Sequence, residues 1–227
     1  MELKTGLVIA HLVGLALGVG GATLMDLIMI RFLVRGKITK EHADLIHFSS
    51  YLVTAGLMML WVSGLSFLAY YSFYAPDGLA NPKVYAKMTI VAVLTLNGML
   101  IHKFVLPLVD KNVGQRLFDG VSTQQKMWML SAGAVSATSW YVPLALGALR
   151  EFNFVVPVSH ILMGYGALLL AAVLGAQIVG MVLTLLDKRQ RPVRQPIPVR
   201  VRTTRVEPAF RMHNGHDAPR QRFGDFR

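Results

Sequence analysis

Five apolar runs decide what this chain can fold into. They cover about residues 5 to 34, 43 to 72, 84 to 108, 127 to 149 and 155 to 186. Each is long enough for an α-helix to cross the roughly 30 Å of hydrocarbon that takes about 20 residues. With 54% hydrophobic and 15% charged residues, the chain is also too apolar and too sparsely charged for an ordinary soluble domain. The predicted fold class is an all-α integral membrane protein. It comprises a five-helix transmembrane bundle over residues 1 to 187 and a tail over 188 to 227. The first run is far longer than the apolar part of a signal peptide, and only Lys4 precedes it as a basic residue, so it is expected to stay in the mature chain.

The absence of cysteine excludes disulfides, thiolate metal sites and cysteine-held clusters. A net charge of +11 invites a nucleic-acid partner, but eleven basic residues against Glu207, Asp217 and Asp225 lie from Lys188 onward. That segment is Pro-rich, poor in apolar residues and follows a membrane helix. It therefore reads as a disordered cytoplasmic tail whose Arg189, Arg191 and Arg194 face anionic headgroups, and no nucleic-acid partner is expected.

Basic residues also set the orientation. Arg31, Arg35, Lys37 and Lys40 follow helix one, and Lys103, Lys111, Arg116 and Lys126 surround the end of helix three. The other side holds only Lys4, Lys83, Lys87 and Arg150. The positive-inside rule then places the N-terminus outside and the C-terminus in the cytoplasm of a multi-pass cell-membrane protein, the inner membrane in a Gram-negative host. Thr39 is expected to cap helix two, Pro76 and Pro82 to keep the following loop from being helical, and Pro107 to close helix three. Helix four carries small residues from Ser131 to Ser139 that permit close helix approach, and Pro143 is expected to kink it.

Ionisable groups inside a span are costly, so each is a functional candidate. Four histidines fall on two levels: His11 and His160 toward the outer face, His47 and His102 toward the inner. Each lies roughly 7 to 11 Å inside its helix end. Taken singly, each could be an interhelical hydrogen-bond donor worth about 1 kcal/mol. Taken as facing pairs, they could supply both axial nitrogens of haem b, with two haems expected and one as the lesser case. Gly14, Gly98 and Gly164 lie one turn from His11, His102 and His160 toward the bilayer centre, where a flat ring would need a surface without β-carbons. Asp26 falls near the inner level. There it could accept a hydrogen bond from an inner histidine or form an ion pair with Arg31 or Lys103. Lys87 falls near the outer level, where it could neutralise a haem propionate or snorkel to the headgroups.

The segment His11-Leu-Val-Gly-Leu-Ala-Leu-Gly-Val-Gly-Gly, the glycine-punctuated second helix, Lys87-Met and His102 together resemble a membrane superfamily. That superfamily contains the copper-resistance protein D membrane domain and the bacterial haem-binding protoporphyrinogen oxidase. The resemblance covers about residues 1 to 110 and implies functional roles for His11 and Lys87, which match the oxidase's first-helix histidine and third-helix lysine. A fifth helix, its histidine and a long tail depart from that pattern. Helices two to five also look like di-haem b-type membrane cytochromes in their pairing of histidines across levels.

The expected function is thus electron transfer through haem b, with a quinone or a redox protein as partner and the lipid bilayer as surroundings. The alternatives are a protoporphyrinogen-oxidising enzyme of haem synthesis, copper or other metal transport, and a cofactor-free assembly protein. Copper sites favour clustered soft ligands, whereas the twelve methionines are scattered along the sequence. No phosphate loop, nucleophile elbow or paired intramembrane carboxylates are present, so hydrolysis and phosphoryl transfer are not expected.

Overall fold

A computed structural model describes residues 2–34, 37–116 and 120–190. Its helices are α1 (Glu2–Val34), α2 (Lys40–Tyr74), α3 (Pro82–Leu100), α4 (Leu106–Lys111), α5 (Thr123–Ala148) and α6 (Val158–Gln190). Five helical segments are long and apolar enough to cross a membrane, α3 and α4 acting together as the third. Most of the tail expected over 188 to 227 lies outside the described residues, and α6 continues as helix to Gln190 before it.

The boundaries follow local chemistry. The Thr39 hydroxyl accepts from the His42 backbone N–H, while the His42 ring reaches back to the Thr39 N–H, closing the cap expected at α2. Ser122 and Gln125 form the equivalent box at α5. Two proline expectations need correction. Pro76 begins a short 3₁₀ helix, Pro76–Ala80, and Pro82 opens α3, because a proline costs no hydrogen bond in a first turn. Pro107 does not close the third span. Before it the chain widens into a π turn, Ile101–Val105, in which the Leu106 N–H donates to the Ile101 carbonyl, and α4 then carries on to Lys111. The wider turn relieves the clash and missing donor that proline brings to an α-helix. Pro143 is accommodated inside α5.

Contacts between helices run antiparallel from neighbour to neighbour. His11 meets Ser63 and Phe32 meets His42, so α2 returns alongside α1. Trp61 donates to Thr95 and Asn97 donates to the Ala132 carbonyl, linking α2 to α3 and α3 to α5. Ser139 bonds Tyr165, joining α5 to α6. The ends of the bundle are called here the Lys4 end and the Arg31 end. Phe32, Ile46 and Val109 pack at the Arg31 end, Ala22, Leu60, Leu94 and Trp140 at mid-depth, and Ile90, Leu146 and Ile161 toward the Lys4 end. At the Arg31 end, Ile38 also exchanges backbone hydrogen bonds with Gly114 and Gln115, tying the connection after α1 to the one after α4.

The closest helix pair is made by glycine. A β-carbon on Gly14 would come 2.8 Å from Met59 Cβ and 3.1 Å from the Gly56 carbonyl oxygen. One on Gly56 would come 2.6 Å from the Gly14 oxygen and 2.7 Å from Gly18 Cα. In a lipid surrounding, which would give helices no hydrophobic reason to associate, backbone approach of this kind and hydrogen bonding between helices would hold them.

Candidate functional site

The bundle contains a partly open cavity of about 920 Å³ in its Arg31-end half. Asp26 lines it from α1, Ser50 and Thr54 from α2, Gly98 and His102 from the third span, Gly133 from α5 and Ala176 from α6. Three of the residues singled out in the sequence, Asp26, Gly98 and His102, therefore meet at one site. Gly98 has nothing within 4 Å of where a β-carbon would stand, so its face is open to the cavity, as expected for the bed of a flat ligand.

The methionines scattered along the sequence are partly gathered in space. Met25, Met29, Met58, Met99 and Met129 all stand in this wall. They come from four different helices, so no sequence spacing connects them. Trp61 and Trp140 are in the wall as well, and the buried indole N–H of Trp140 has no hydrogen-bond partner among the described residues.

Each histidine of the Arg31 end is held by a neighbour. His102 Nε2 lies 3.1 Å from Ser50 Oγ and 3.3 Å from Thr54 Oγ1. His47 Nε2 lies 2.8 Å from Asp110 Oδ1, which makes Asp110 the carboxylate on this imidazole. The role foreseen for Asp26 therefore falls to Asp110, a residue past Pro107, beyond the expected end of the third helix. Asp26 makes no hydrogen bond or ion pair with the described residues. Its separation of five from Arg31 turns the two onto different faces of α1, since helix partners sit three or four apart. The Lys103 ammonium instead lies 5.4 Å from the centre of the Phe104 ring. His47 and Ser50 are one turn apart on α2, so His47 and His102 are near neighbours at the Arg31 end.

At the Lys4 end, three helices converge on His11. Its Nδ1 is 2.8 Å from the hydroxyl of buried Ser63 on α2, and Phe67 meets its ring edge-on at 5.7 Å. Lys87 on α3 is close enough to interact electrostatically with the imidazole. Neither Ser63 nor Phe67 was marked by any charge in the sequence. Gly14 is buried against α2, so the surface expected to lie under a ring is occupied by helix packing. His160 and Gly164 are exposed on α6, which packs mainly on α5 and α3. Lys83, one turn before Lys87, donates to the Leu149 carbonyl and closes the end of α5. Among the described residues no group of three or more His, Asp or Glu side chains is placed to hold a metal ion. Comparison with known proteins finds no family model that matches the chain, and no curated protein or solved structure similar to it.

Proposed function

We propose that this is a b-type cytochrome-like membrane electron carrier holding haem b between its helices at the His11 level. The observation that carries the reading is the convergence on His11. Its ring is fixed through Nδ1 by Ser63, which leaves Nε2 without a partner among the described residues and available to iron. A metal-ligating histidine is ordinarily oriented through its other ring nitrogen in this way. Lys87 supplies a positive charge at the same level for a propionate. His160, exposed on α6 against α3 and α5, does not face His11, so the reading rests on His11 as the axial ligand, and haem held there would supply one-electron chemistry. The second haem expected on His47 and His102 is not part of this reading, because His47 Nε2 is bonded to Asp110 and His47 does not line the cavity.

Purified protein expressed with ample haem is expected to show the absorption bands of haem b, shifting on reduction. A colourless preparation would overturn the reading. The same His11 and Lys87 juxtaposition favours one competing reading, oxidation of protoporphyrinogen with haem as relay. Loss of the gene would then cause porphyrin to accumulate, whereas loss of an electron carrier would not.

The reading includes an orientation with the N-terminus outside and the C-terminus in the cytoplasm, supported by the basic residues flanking the spans. A reporter active only after export, fused behind Arg227, is expected to be silent. Activity there would invert the assignment of both histidine levels.

A further inference from the structure

We propose that the cavity at the Arg31 end binds the ring of a 1,4-quinone or its quinol, with His102 hydrogen-bonded to one ring oxygen and Asp26 to the other. Its volume, about 920 Å³, lies within the range of roughly 300 to 1,000 Å³ typical of small-ligand sites. Its wall is mostly apolar, with a few polar groups arriving from different helices, Asp26 from α1 and His102 from the third span. That is the pattern of a site that buries an apolar ring and fixes its orientation at a few polar atoms.

Three observations favour a quinone over other occupants. Asp26 faces the cavity without a partner among the described residues, and an unpaired carboxyl group at this depth is costly unless a ligand meets it. A quinol hydroxyl can donate to it, and a quinone oxygen can accept from its protonated form. The wall around these groups is polarisable, with Trp61 and methionine sulfurs beside small residues of α5 such as Ala132 and Gly133. Sulfur makes favourable contacts at the edge of an aromatic ring, as a quinol presents. Finally, α6 contributes Ala172, Ala176 and Val179 to the wall, and none of its most apolar stretch is buried within the protein. A ligand dissolved in the lipid would therefore meet the cavity through its most lipid-exposed wall.

The electron-transfer reading gives this site its purpose, but binding can be tested without it. Purified protein in detergent is titrated with a short-chain benzoquinone and, separately, a short-chain naphthoquinone, and the quenching of tryptophan fluorescence is followed. Trp61 and Trp140 stand in the wall, so saturable quenching by one of the two is expected, and the better binder identifies the ring class. Gly133 has no neighbour within 4 Å of a β-carbon, so Gly133→Leu fills the cavity from an open position. It is expected to weaken binding by about tenfold or more, equivalent to roughly 1.4 kcal/mol. Asp26→Asn is expected to weaken it measurably, and it carries the test if Gly133→Leu does not fold. Absence of saturable quenching, or unchanged affinity in both variants, overturns the proposal. Loss of a haem spectrum in Gly133→Leu, with no quinone bound by the wild type, would give the cavity to a porphyrin and also overturn it. Quinone binding by a protein that carries no haem would support this site while overturning the electron-carrier reading alone.

Discussion

If haem is held at the Lys4 end as proposed, replacing His11 with alanine is expected to remove it altogether, because no other described side chain at that level offers an imidazole held from a neighbouring helix. Ser63→Ala keeps the ligand but frees its ring. Loss of such an outer partner typically costs about 10- to 100-fold in affinity, so this variant is expected to retain haem only when haem is abundant. Lys87→Gln would leave the proposed iron ligand in place and remove a charge available to a propionate, so it is expected to shift the potential of a bound haem more than its content. Measuring haem per protein and potential in the three variants separates the roles. Full haem in His11→Ala would exclude His11 as a ligand. Equal losses in all three would point to a folding defect.

The largest effect on stability is expected from Gly56→Ala. The new methyl group would stand 2.6 Å from the Gly14 carbonyl oxygen and 2.7 Å from Gly18 Cα. Both obstacles are backbone and cannot swing aside as a side-chain tip can, so α1 and α2 must move apart. Overpacking of this kind costs about 1 to 3 kcal/mol, occasionally more. The His11–Ser63 hydrogen bond, which spans the same two helices, would be strained with it. Gly164→Ala is the control. Nothing lies within 4 Å of its added carbon, and alanine is the better helix former by roughly 0.5 to 1 kcal/mol. Thermal unfolding in detergent should therefore fall clearly for Gly56→Ala and hold or rise for Gly164→Ala. Similar melting of both proteins would mean that the α1–α2 contact does not govern stability.

The glycines show where sequence reasoning stops. Gly14 and Gly98 look alike in sequence, each one turn from a histidine in an apolar span. In space Gly14 is pressed against α2, while Gly98 opens onto a cavity. Nothing in the spacing along one helix tells which neighbour, if any, its glycine will meet.

Sequence alone was enough to place five long apolar helices, their approximate ends and the position of each polar group along them. Those properties depend on apolar length, caps and a fixed rise per residue, and all three are local. It could not determine rotation about each helix axis or the identity of the neighbours, because both depend on shape fit between surfaces far apart in the chain. Tertiary structure alone therefore decided that Ser63 holds His11, that Asp110 holds His47, and that Asp26 looks into a cavity beside His102. The π turn before Pro107 is the local part of the same lesson. It carried the helix far enough for Asp110 to reach His47, where a helix ended by that proline would have left the histidine without its carboxylate.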